Sequence, residues 1–147
     1  MAHYCPQKDG PVLYLDCQEC EERLCESFFC MIVGSRTFNN YELLKKKCDH
    51  LLQKKTEIVI ISGGANGTDA LAKRYAEEKG FAYKEFPADW NQYGKRAGYI
   101  RNRAMHEYLM KQKSRGVIAF WDGKSKGTAH SFELAKEFDN PIRVVRV

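Results

Sequence analysis

Three apolar runs that each stop at small or hydroxylated residues constrain this chain more than any other feature. They are FFCMIVGSR (28–36), IVIISGG (58–64) and GVIAFWDG (116–123). In each, apolar residues follow one another without the polar residue at every second place that marks a half-solvated strand. A strand written that way has both faces buried, which is the condition of a parallel sheet covered by helices on both sides. The segments between the runs agree. Residues 41–54 place Leu44, Cys48, Leu51 and Leu52 on one helical face. Residues 69–79 align Leu71, Ala72, Tyr75 and Ala76 and stop at Gly80. Residues 99–111 turn Met105, Tyr108 and Leu109 inward, and a fourth helix is expected over 128–138. Shorter strands are expected at 81–86 and 142–147, and residues 87–98 read as a loop. Strand–helix alternation of this kind predicts an α/β fold with a five-stranded, mainly parallel sheet between two helical layers.

Sheets of this class bind ligands beyond the carboxyl ends of the strands, near the point where strand order reverses. Three strands end there in small or polar residues: Gly34-Ser35-Arg36, Ser62 to Asp69, and Trp121 to Thr128. Gly63 and Gly64 allow a tight turn and a close approach of backbone to ligand. A helix start follows each of the two glycine corners, offering unpaired N–H groups and a positive dipole end to an anion. Ser35, Ser62, Ser125, Thr68 and Thr128 add hydroxyls, and Lys124 and Lys126 add charge. Neither corner is a Walker A loop, because the glycine needed five residues before Gly123 is Ile118. Asp69 either caps its helix or meets a neutral part of a ligand, such as a ribose hydroxyl, since it would repel a phosphate set on that turn. Arg101-Asn102-Arg103 opens the third helix, and one arginine there can clamp a phosphate in two-point fashion. Trp90 and Tyr93 either stack on a base or plug the edge of the core. His130 reads as a polar residue near a helix start.

The chain has 147 residues, the size of one ordinary domain. It has no apolar stretch near the roughly 18–20 residues needed to cross a bilayer. Its first ten residues lack the apolar centre of a secretory signal, so the expected location is the cytoplasm, with no membrane partner. Net charge is +5 but uneven. Residues 1–30 carry two basic against six acidic side chains, a net −4, which leaves +9 on the remainder. A basic body suits anionic ligands, phosphates first among them. The Lys45-Lys46-Lys47 run reads as a solvated face.

Five motifs in order, GSRTF (34–38), ISGGANGTDALA (61–72), FPADW (86–90), GKRAGYIRN (94–102) and FWDGKSKGT (120–128), resemble the YspA, cpYpsA-related branch of the SLOG superfamily. The resemblance spans about residues 30–147. It implies a Rossmann-like fold that binds a nucleotide or nucleotide-derived ligand, such as a nucleoside phosphate or an ADP-ribose-type molecule, in the manner of a sensor. On the motifs it points to Gly34, Ser35, Arg36, Ser62, Gly63, Gly64, Gly67, Asp69, Arg101, Asn102, Asp122, Gly123, Ser125, Gly127 and Thr128 as ligand-binding. The related LOG phosphoribohydrolases release a base from a nucleoside monophosphate through a PGGxGTxxE motif. Gly127-Thr128 match its GT, but its glutamate falls on Ser131, and the nearest carboxylate is Glu133. An N-glycosidic hydrolase remains the alternative, with Arg101 holding phosphate and Asp122 serving the ribose. A weaker alternative, also from the superfamily, is a protein that handles single-stranded DNA. A homodimer is a further expectation of the resemblance.

Residues 1–29 lie outside it. Cys5, Cys17, Cys20 and Cys25, in a C-x11-C-x2-C-x4-C spacing, suit a closed tetrahedral zinc site better than disulfides or a redox cofactor. Cys30 is the spare thiol and His3 a weaker ligand. The metal would staple a segment too short to bury a core. Zinc-binding segments often touch nucleic acid, yet this one is acidic, which argues against nucleic acid as a partner.

Overall fold

A computed structural model describes residues 27–147. The proposed zinc ligands Cys5, Cys17, Cys20 and Cys25, with His3, lie outside the described residues. The strands are β1 (Phe28–Gly34), β2 (Ile58–Ser62), β3 (Ala82–Glu85), β4 (Ser114–Trp121) and β5 (Ile142–Arg146). The helices are α1 (Tyr41–Leu52), α2 (Thr68–Lys79), α3 (Ala97–Met110) and α4 (Lys126–Glu137). The sheet order is β3-β2-β1-β4-β5. The pairings are all parallel, with Phe28 opposite both Ile58 and Ser114.

The unbroken apolar strands are explained by alternation between two cores. Cys30, Ile32, Ile58, Ile60, Ile118 and Phe120 face α1 and α2, where they meet Leu44, Cys48, Ala72 and Tyr75. Met31, Val33, Ile61, Val117 and Ala119 face the other way and meet Met105 and Leu109 of α3. Each Ile, Leu, Val, Met or Phe among them, fully buried, contributes on the order of 1.5–3 kcal/mol. A polar residue on either face would have no water to turn to. Cys30, expected to be a core thiol, is fully buried, and burial raises its pKa well above the ordinary range.

Local signals set the helix ends. Asn40 caps α1 by accepting the Leu43 N–H at 3.1 Å. Gly80 ends α2 in the left-handed region at φ 73°. Tyr41 and Lys45 of α1 both reach Glu78 of α2, at 2.6 and 2.8 Å. The expected loop at 87–98 is instead partly helical: a turn at Trp90–Tyr93, capped by Asp89 accepting the Gln92 N–H, runs through a 3-10 turn at Gly94–Arg96 into α3. The third helix thus starts at Ala97, two residues before its apolar pattern begins. Buried Ala97 is too small to have signalled a helix start.

From β1 the chain steps to β2 and β3 on one side, then crosses to β4 and β5 on the other. The strand order therefore reverses between β1 and β4. Among the described residues no helix is long and apolar enough to cross a membrane.

Candidate functional site

A cleft of about 380 Å³ opens at this reversal, at the carboxyl ends of the central strands. That is the scale of a small-molecule site. Its floor and walls come from the β1 corner (Gly34, Ser35, Arg36), the β2 corner (Gly63, Asp69), the start of α3 (Arg101, Asn102) and the β4 corner (Asp122, Ser125, Gly127, Thr128). Residues up to 94 positions apart in sequence thus share one hollow.

Ser35 ties the corners together. Its carbonyl accepts both the backbone N–H and the hydroxyl of Thr68, at 3.2 and 2.9 Å. Its own N–H donates to the Phe120 carbonyl at 3.1 Å, and its hydroxyl accepts the Asp122 N–H at 3.3 Å. The start of α2 is consequently already occupied: one orphan N–H goes to Ser35, and buried Thr68 seals the turn. Gly34 makes this stitching possible, since a Cβ there would stand 2.8 Å from Thr68 Cβ.

The β2 corner is built around an arginine. Arg101 Nη1 donates to the Gly63 carbonyl at 2.7 Å, and its Nε donates to Asn102 Oδ1 at 2.9 Å. The space that glycine leaves at position 63 is filled by this guanidinium, since a Cβ there would stand 2.7 Å from Arg101 Cζ. Gly63 therefore admits Arg101 on its Cβ side and also lines the cleft. Gly64 (φ 74°) faces the Glu85 carboxylate, and Gly67 (φ 73°) lies against the Ser35 and Arg36 carbonyls, so neither lines the cleft. Ser62 is also outside it, fully buried, with its hydroxyl donating to the Asp69 carbonyl at 3.3 Å.

Asp69 is 9% exposed. One carboxylate oxygen accepts the Ala65 N–H at 3.2 Å and so folds the loop. Burial raises its pKa above the ordinary carboxylate value, opposed by the charge of Arg101 and by hydrogen bonds from Ala65 and Ser62. Burial likewise pushes Arg101 down, Asp69 pushes it up and Arg36 pushes it down again. Desolvation dominates at both groups. An anion beside Arg101 would relieve it; the same anion beside Asp69 would be repelled.

At the β4 corner Asp122 accepts the backbone N–H groups of Lys124 and Ser125 at 2.8 and 2.9 Å, which holds its pKa below the ordinary value. Ser125 caps α4 through the Thr128 N–H and also accepts the Thr128 hydroxyl at 3.1 Å. Gly123 (φ 85°) points at the Arg146 guanidinium, away from the cleft. Gly127 is different: a Cβ there would meet nothing within 4 Å. Asn102 donates to its carbonyl at 3.4 Å, tying α3 to the start of α4. The two glycine corners are therefore unequal. The start of α2 is tied to the Ser35 carbonyl, while the first turn of α4, capped by Ser125, lines the hollow at Gly127 and Thr128.

Several lining residues were not picked out from the sequence. Lys95, Gly98 and Tyr99 sit on the rim with Trp90, and Ser131 stands in the wall. Trp90, Lys95 and Gly98 fall in the segment read as a loop, whose helical turns place them beside Tyr99 at the start of α3. Tyr93 is not on the cleft, and His130 lies behind Tyr99, ring edge to ring at 4.7 Å. Ser131, the position aligned with the phosphoribohydrolase glutamate, does line the cleft, but as a 2% exposed serine. Among the described residues no group of three His, Cys, Asp or Glu side chains could hold a metal ion.

Comparison with known proteins follows the same lines. The family described as YspA, cpYpsA-related SLOG matches residues 30–93. The Gene 61 protein of Mycobacterium phage D29 is 30% identical over 118 residues, covering 76% of this chain and 91% of the phage protein. The fold is similar to DNA processing protein A of Helicobacter pylori, solved for its single-stranded DNA binding mode (TM-score 0.60, 22% identity, 83% of this chain and 67% of that one). It is similar also to DNA processing protein A of Streptococcus pneumoniae (TM-score 0.59, 20% identity, 84% and 52%). With its five motifs in order and its strand ends converging on one cleft, the chain belongs to the YspA, cpYpsA-related SLOG family.

Proposed function

We propose that the cleft binds a nucleotide or nucleotide-derived molecule, of nucleoside phosphate or ADP-ribose type, with a phosphate between Arg101 and the first turn of α4. One observation carries this reading: a desolvated guanidinium, fixed by Gly63 and Asn102, lines the same hollow as Gly127 and Thr128 of the first turn of α4, and at Gly127 a Cβ would meet nothing within 4 Å. Fixed donors plus a helix dipole favour a phosphate over an uncharged ligand. Buried Asp69 suits a ribose hydroxyl, which can donate to it without bringing negative charge. In this reading the protein holds its ligand and reports it as a sensor. The test is thermal melting of the full chain with nucleoside monophosphates, NAD and ADP-ribose in turn. Stabilisation by at least one of them is expected, and none by the matching nucleosides; flat melting curves throughout would refute it.

Two other readings remain in play for stated reasons. The acidic head argued against nucleic acid, but a fold neighbour is described as binding single-stranded DNA, and the body is basic. A strand would show binding that weakens steeply with salt. Hydrolysis of an N-glycosidic bond is favoured by an ionised Asp122 on the cleft wall. It is opposed by Ser131 at the expected glutamate position and by the two N–H groups that already hold Asp122. Chromatography after incubation with the same ligands decides: intact ligands support the sensor, and free base lost in Asp122→Asn supports the hydrolase.

A further inference from the structure

Two aromatic rings line the cleft, although one nucleotide has only one base. Trp90 is 49% exposed and Tyr99 is 45% exposed, and both belong to the rim. They are not loose surface residues. The Arg36 guanidinium lies 5.7 Å from the Trp90 ring centroid, and Tyr99 is set edge-on to His130. Each ring is thus braced from one side and keeps a face for something else. An exposed ring on the wall of a cleft is placed to stack on a base, and stacking tolerates any base.

The rings stand next to the charge. Gly98 lies between Trp90 and Arg101: a Cβ there would be 3.6 Å from Trp90 Cη2 and 3.9 Å from Arg101 Nη2. An indole and a guanidinium thus flank the same spot, each at ordinary contact distance from it. Arg36 and Lys95 line the same cleft and make no ion pair among the described residues. The hollow therefore presents three cations (Arg36, Lys95, Arg101) and two stacking faces. Two carboxylates line it as well: Asp69, which takes the Ala65 N–H and keeps acceptor capacity for a ribose hydroxyl, and Asp122, which takes those of Lys124 and Ser125. A mononucleotide would leave one ring and at least one cation unused.

We infer that the ligand carries two nucleoside units joined through phosphate, one stacked at Trp90 beside Arg36 and the other at Tyr99, with the linking phosphates among Arg36, Lys95 and Arg101. This rests on the nucleotide reading above and deepens it. The shared chemistry has two sources, a pyrophosphate-linked dinucleotide or two consecutive residues of a single strand.

The experiment is titration calorimetry of the full chain with dAMP, pdApdA, NAD and a six-residue oligodeoxyadenylate. At least one two-unit probe is expected to bind at least about tenfold tighter than dAMP, since a stacked base contributes about 1–3 kcal/mol. Trp90→Leu and Tyr99→Leu should each shrink that ratio towards one, with melting temperatures near wild type. Preference for NAD over pdApdA, with no gain at six residues, assigns the pyrophosphate source; a further gain at six residues that falls with salt assigns the strand. If dAMP binds as tightly as both two-unit probes, the inference is wrong while the nucleotide reading stands. If none of the four binds, both are wrong.

Discussion

Substituting Gly63 by alanine should separate binding from folding. A Cβ at position 63 would overlap the Arg101 guanidinium, 2.7 Å from its Cζ. The backbone there is not in the left-handed region, so alanine imposes no strain of its own. What must yield is the far end of a flexible side chain, and yielding breaks the 2.7 Å bond from Nη1 to the Gly63 carbonyl. A hydrogen bond to a charged group contributes about 1.5–3 kcal/mol. Part of that loss is returned, because a displaced Arg101 regains water and alanine narrows the unfolded ensemble by about 0.4–1 kcal/mol. Stability should therefore change by no more than about 1–2 kcal/mol in urea unfolding. Binding has no such compensation. If Arg101 holds phosphate from this one position, losing the position should weaken a phosphorylated ligand by about 10–100-fold. The assay is calorimetry of Gly63→Ala with the best-binding nucleotide, run beside its urea melt. Unchanged affinity in a folded variant would falsify the claim that Gly63 exists to seat Arg101 as a clamp. Gross unfolding would show instead that the corner is structural.

Gly67→Ala should behave in the opposite way. Its φ of 73° and the Ser35 carbonyl, 2.6 Å from an added Cβ, leave no flexible neighbour to yield, so a loss of about 3 kcal/mol or more is expected in the same urea melt. His106 should make the protein acid-sensitive. It is fully buried, and burial, followed by the charge of His130, pushes its pKa down to about 4. A depressed pKa means the folded state resists the proton. Its contribution is full above the unfolded value near 6.5 and is lost as pH falls towards 4, up to about 3 kcal/mol. His106→Gln should flatten that part of the stability–pH curve. The cysteine spacing predicts one zinc per chain by metal analysis of the purified protein, lost in Cys17→Ser.

Much of the fold is readable in the sequence because two cores ask the same of every strand. The apolar runs at 28–33, 58–61 and 117–121 alternate sides, so a hydrophobic residue is required at each step, and the helical periods between the runs select the parallel sheet. The convergence of three strand ends follows from parallel pairing. What escaped was the inequality of the two glycine corners. Gly63 and Gly127 look alike in sequence, but one faces an arginine 38 residues away and the other faces nothing, and that distinction exists only in three dimensions. The rim escaped for a local reason. Asp89 caps a turn too short to show a period, and that turn carries Trp90 to the cleft, with Lys95 in the 3-10 turn that follows it.

The most direct measurement is paired calorimetry of the full chain with a nucleoside 5′-monophosphate and the same nucleoside without phosphate, repeated on Arg101→Ala. The account predicts saturable binding of the monophosphate at least about tenfold tighter than the nucleoside, with the difference erased in the variant. Equal binding of the two compounds by the wild-type protein, or a difference that survives in Arg101→Ala, would contradict a phosphate site at Arg101.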